Sequence, residues 1–148
     1  TGAPGGWAFW AGYKPPVFTS VNAPADRKGI RIDAPPQETP FANMAILIQN
    51  VPVKPERHYL ARVWMRSVDG TQCILRLNFR DKNGSLMSGG KANIQLQSSS
   101  KGWQQAVIVA GVPEGATGMA FMLATDNGIA EFSEPSLYEI PEKAVEKE

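Results

Sequence analysis

Trp64 stands between Arg62 and Arg66 in the run His58 to Ser67 (HYLARVWMRS), and the run Gln72 to Arg80 (QCILRLNFR) carries Arg76, Asn78 and Arg80 at the same two-residue spacing. An indole presents a flat apolar face that matches the axial hydrogens of a pyranose ring, and guanidinium forks grip hydroxyls or carboxylates. Gln49 and Asn78 each donate and accept, which suits sugar hydroxyls. Trp10 and Tyr13 fall where an aromatic could rim a cleft near the chain start. Each of these residues also has a plainer reading. Trp64 could pack beneath a loop, the arginines could form a solvated face with local ion pairs, the amides could satisfy strand edges, and Trp7 or Trp10 must fill core. Trp103 follows a glycine and leads into Val107 and Val109, so it is expected in the core.

Catalytic chemistry finds little support. His58 is the sole histidine, and no serine, cysteine or acid stands at a nucleophile-and-base spacing around it. Asp126, Glu131 and Glu134 are carboxylates that glycoside hydrolysis could use in principle, but spacing alone does not supply the separation that chemistry needs. Neither a phosphate-cradling glycine loop nor a zinc-type Cys/His spacing is present. Cys73, the only cysteine, excludes an internal disulfide and reads as a buried thiol.

The elements that must position these residues are strands. Both runs alternate with period two: Tyr59, Ala61, Val63 and Met65, then Cys73, Leu75, Leu77 and Phe79, make the apolar sides, and the arginines stand opposite. Burying Leu75, Leu77 and Phe79 is favourable by roughly 1.5 to 3 kcal/mol each, whereas unpaired buried guanidinium groups would cost several kcal/mol apiece. The Arg and Trp side therefore faces water or a ligand. A two-residue hairpin at Asp69-Gly70 would set Arg66 against Cys73 and mix the two faces. Either the loop is longer or the two strands lie in different sheets.

Twelve prolines and fourteen glycines interrupt the 148 residues too often for long helices. Further strands are expected at Trp7 to Trp10, Val17 to Val21, Gly29 to Asp33, Asn43 to Val51, Asn93 to Gln97, Trp103 to Val109, Met119 to Thr125 and Ile129 to Ile140. Strands at about ten-residue intervals indicate an all-β sandwich or barrel, with less than about a tenth helix. One domain over residues 1–141 is expected, followed by a charged tail or linker over 142–148 that implies a downstream neighbour. Ser85 to Gly102, rich in Gly and Ser, is the expected mobile region. Fifteen Lys plus Arg against fourteen acidic residues leave no global field to recruit nucleic acid or a membrane surface. No apolar run approaches the roughly 18 to 20 residues of a membrane span.

In order and spacing, TGAPGGWAFW, VPVKPERHYLARVWMRS, LRLNFRDKNG, GWQQAVIVAGVPEGA and IAEFSEPSLYEI resemble the carbohydrate-binding modules of the family 4, 9 and 22 group. The resemblance spans nearly the whole chain. It implies a galactose-binding-like jelly roll that binds a polysaccharide or oligosaccharide in a cleft on the concave sheet. It further implies a noncatalytic module covalently linked to a polysaccharide-degrading catalytic domain, secreted to an extracellular or periplasmic site. The alternative is a structural or protein-interaction sandwich of the same fold that packs against a catalytic domain. Members commonly hold one structural calcium ion, and the matching acidic positions here are Asp26 and Glu134, although Ser133-Glu134 stands where relatives tend to have two aspartates. Arg62 and Arg66 flanking Trp64, with Arg76 and Arg80 on the polar side of the next run, would also suit an acidic glycan.

Overall fold

The structure is a computed structural model that describes residues 7–10, 17–34, 44–126 and 128–140, with backbone only at 9, 10, 44, 45 and 126. Among the described residues ten strands run in order: β1 (Ala8–Trp10), β2 (Val17–Ala23), β3 (Arg27–Asp33), β4 (Met44–Pro52), β5 (His58–Ser67), β6 (Cys73–Asp81), β7 (Asn93–Ser98), β8 (Gln104–Gly111), β9 (Ala116–Asp126) and β10 (Ile129–Ile140). The single helical turn among the described residues is a 3-10 turn at Pro24–Asp26. Two antiparallel five-stranded sheets result, ordered β1-β4-β9-β6-β7 and β2-β3-β10-β5-β8. The fold is an all-β sandwich, as the alternation predicts.

The apolar sides read from the sequence are the core. Tyr59, Ala61, Val63 and Met65 from β5 meet Cys73, Leu75, Leu77 and Phe79 from β6 across the sandwich, with Phe121, Leu123 and Phe132 between them, all buried. Because β5 and β6 belong to different sheets, the hairpin conflict disappears. It also means that the two arginine sets point away from each other, on opposite outer faces. Of the two alternatives left open by the hairpin register, the strands lie in different sheets, and the arginines form two faces.

One irregularity shapes the second sheet. In β10, Ser133 pairs with Trp64 and Ser136 with Arg62, so Glu134 and Pro135 together oppose the single residue Val63, a β-bulge. The extra residue lets Phe132 and Leu137 both face the core despite an odd spacing. Pro135 lacks the N–H that a regular ladder needs, and Glu134 takes a left-handed φ of 52°. Beside the bulge Gly29 is obligatory, because a Cβ there would lie 2.6 Å from the Phe132 carbonyl oxygen.

Candidate functional site

The first outer face belongs to the sheet containing β6, here the Arg76 face. On its central strand β9 the outward residues are Gly118, Ala120, Met122 and Ala124, mostly small. Ala120, Met122 and Ala124, with Ile46, Ile48 and Ile74, form a second apolar cluster separate from the core, a floor that is itself buried except for the half-buried Ile48. Around the floor stand amides and guanidinium groups in register: Arg76 opposite Gln95, Asn78 opposite Asn93, and Ile74 opposite Gln97. Arg76 Nε donates to Asn93 Oδ1 at 2.8 Å and its terminal nitrogen to Asn78 Oδ1 at 3.3 Å. Arg80 spans the side-chain-poor stretch of β9 to donate to Asn50 Oδ1 on β4 at 3.1 Å. That reach is possible because Gly118 and Ala120 place nothing tall between the two strands.

Not every expected ligand residue is free on this face. Asn78 is 2% exposed and its amide donates to the carbonyls of Met87 and Ala92, each at 3.0 Å. It therefore anchors the 82–92 loop. Gln49 shares its strand side with Leu47 and pairs with Phe121, so its direction is toward the sandwich interior and it does not join the Arg76 row. Trp10 pairs with Ile46 in the backbone register, but its side chain lies outside the described residues, as does Tyr13 altogether. Asn50, Asn93, Gln95 and Gln97 were missed in the sequence, although the alternation Asn93, Gln95, Gln97 along an edge strand was a legible signal.

The second outer face carries Arg62, Trp64 and Arg66. Glu131, 1% exposed, is held from both sides: Arg66 Nε reaches its Oε1 at 2.6 Å and Arg31 its Oε2 at 2.7 Å. Cations also lie on aromatic rings. Arg27 sits 4.7 Å from the Trp64 ring centre, Arg66 5.4 Å from Trp103 and Arg62 5.5 Å from Tyr138. Arg62 donates to Tyr138 Oη and to Ser136 Oγ, the latter at 3.5 Å. Trp64 is thus half-buried under Arg27 and not a bare platform. Trp103, expected in the core, is half-buried on this outer face beside Arg66; its parity matches that of the outward Gln105, and it takes no part in the core cluster. Among the tryptophans whose side chains are described, Trp7 reaches the core, its ring 5.4 Å from Phe121.

Asp26 is exposed, in the left-handed turn Ala25–Asp26, and Glu134 is paired with Arg27 at 3.4 Å. Among the described residues no three His, Cys, Asp or Glu side chains gather closely enough to hold a metal ion. Calcium favours six to eight oxygens, and this corner offers two carboxylates, one of them already facing a cation. His58 lies against Gly111 with its Nδ1 buried and unpartnered. Of the candidate carboxylates, Glu131 is locked between two arginines, Glu134 is paired, and the Asp126 side chain lies outside the described residues.

No protein-family model matches this sequence, and no curated protein is similar to it in sequence. Solved structures do resemble it. The family 16 carbohydrate binding module 2 superposes with a TM-score of 0.61 at 20% identity, covering 82% of this chain and 85% of that one. The family 22 xylan-binding domain from Paenibacillus barcinonensis Xyn10C superposes at 0.63 and 11% identity, with 94% of each chain covered. This chain has the jelly-roll fold of these modules. The enzymatically active domain of bacteriophage CBA120 tailspike protein 4 gives 0.72 at 16% identity, where 92% of this chain matches only 20% of the other. The chain thus spans about a fifth of that active domain's length. Modules of families 4 and 61 share the architecture too, so the fold implied by the sequence resemblance holds.

Proposed function

We propose that this chain is a noncatalytic carbohydrate-binding module and that the Arg76 face contacts the glycan. The observation that carries the reading is the row of Asn50, Asn93, Gln95 and Gln97, all exposed, with half-buried Arg76 and Arg80 between them on one outer face. Such a surface offers in-register donors and acceptors to sugar hydroxyls. The similarity in fold to a xylan-binding domain supports the same assignment. The module would hold a covalently linked polysaccharide-degrading domain on its substrate, outside the cell, by proximity alone. Among the described residues no helix is long and apolar enough to cross a membrane.

The test is affinity electrophoresis and calorimetry of the purified chain against neutral polysaccharides, xylan among them. Arg76→Ala combined with Gln95→Ala is expected to weaken binding at least about tenfold by removing charged and amide hydrogen bonds, while the melting temperature stays within a few degrees. Binding to none of the glycans, or binding indifferent to both substitutions, would remove the proposal. The calcium ion implied by the family resemblance belongs to this reading as well. If it binds at Asp26 and Glu134, adding calcium should raise the melting temperature and chelation should lower it, and Glu134→Gln should abolish the difference. A melting temperature blind to calcium deletes the ion.

A further inference from the structure

The bulge in β10 opens a depression on the face opposite the Arg76 site, lined by Arg27, Arg62, Trp64, Gln105, Glu134 and Ser136, with a volume of about 580 Å³. This lies within the roughly 300 to 1,000 Å³ of small-ligand sites. We propose that it is a second ligand site, specific for a uronate residue of an acidic glycan, with the sugar carboxylate held by Arg62 and Arg27. The assignment goes beyond the Arg76 face and does not depend on it.

Arg62 carries the argument. Its acceptors are the neutral oxygens of Ser136 and Tyr138, and among the described residues no carboxylate neutralises it. This contrasts with Arg31 and Arg66, which share the buried Glu131 at 2.7 and 2.6 Å. Arg27 is only loosely engaged. Its contact with Glu134 is 3.4 Å, between side chains 27% and 57% exposed, and exposed pairs of that kind are weak. A cation–π contact with Trp64, 4.7 Å from the ring centre, meanwhile keeps the Arg27 guanidinium beside the depression. Two cations and one carboxylate therefore line the depression, leaving one positive charge unmet. A planar carboxylate matches guanidinium forks, while Gln105 and Ser136 supply an amide and a hydroxyl for the sugar's own hydroxyls.

Backbone strain points to the same place. Ala25 and Asp26, at φ 61° and 59°, deliver Arg27 from one side, and Glu134, at φ 52°, projects from the bulge on the other. Left-handed non-glycine residues are uncommon, and together with bulges they gather at ligand sites because the backbone is bent there to aim side chains.

The experiment is calorimetry with a galacturonate trisaccharide and its neutral galactose counterpart, at low salt and with chelator present. The acidic sugar is expected to bind at least about tenfold more tightly, and to weaken as the Debye length falls from about 10 Å at 0.1 M to about 3 Å at 1 M. Arg62→Ala should lower that affinity about tenfold, Arg62→Lys should restore only part of it because the fork is lost, and Glu134→Gln should raise it by removing the competing carboxylate. Equal binding of the two sugars, indifference to Arg62→Ala in a protein of unchanged melting temperature, or tighter binding of a sulfated trisaccharide than of the uronate would overturn the proposal. The Arg76→Ala, Gln95→Ala protein separates the two sites. Retention of the acidic trisaccharide there supports the second site, and joint loss of both ligands would mean that they share one face.

Discussion

Cys73 is fully buried, its thiol donates to the Ser98 carbonyl at 3.0 Å, and burial pushes its pKa up from 9.0 to about 11. The unfolded thiol ionises near 9 and the folded one does not, so stability is fully present below pH 9 and declines as pH rises toward 11. Denaturant melts from pH 8 to 11 on Cys73→Ala and the parent chain should show this component in the parent alone; the folded thiol should also resist alkylation at neutral pH. Glu131 leads to a different expectation. With both Arg31 and Arg66 replaced by Ala, a carboxylate only 1% exposed is stranded, which is expected to cost about 3 to 5 kcal/mol, whereas either substitution alone leaves one partner and costs clearly less. Urea midpoints of the two single variants and the double variant measure it, and a simple sum of two small effects would show that Glu131 does not need its arginines.

Between strands, the close approach of β3 to β10 depends on Gly29, whose missing Cβ would lie 2.6 Å from the Phe132 carbonyl oxygen and 3.2 Å from the Val21 side chain. The nearer obstacle is backbone, which cannot swing aside. Gly29→Ala is therefore expected to destabilise by at least about 1 to 3 kcal/mol, in the range of overpacked cores. Thermal unfolding of this variant beside Gly90→Ala, a position where an added methyl would meet nothing within 4 Å, provides the comparison. A melting temperature matching that of Gly90→Ala would mean that the strands can part freely. The bulge next to Gly29 is the element that turns a regular ladder into a recess, and its trace in the sequence is the Glu134-Pro135 step together with the odd spacing of Phe132 and Leu137.

For the whole molecule, the sheets are closed by pairings distant in sequence; β3 meets β10, with Arg31 and Glu131 100 residues apart. Loop closure must precede most of the stabilising contacts, so refolding is expected over milliseconds to seconds. Stopped-flow fluorescence from the four tryptophans tests this, and complete refolding within microseconds would contradict it. Period-two alternation was enough to assign β5 and β6, to separate their core sides from their solvent sides, and to exclude long helices, because strand pleating converts residue parity directly into direction. It was not enough to choose which sheet each strand joins. Parity says which residues share one strand's face, but the placing of Arg62, Trp64 and Arg66 back to back with Arg76 and Arg80 arises from β9 and β10 inserting beside them in separate sheets. The same limit explains Trp103 and Asn78. Trp103 lies outside the core because it stands beside the outward-facing Arg66, whose guanidinium lies 5.4 Å from its ring centre, and Asn78 is buried because a loop folds over it. Alternation is a local property carried by the chain, whereas partner choice across the sandwich is settled only by long-range packing.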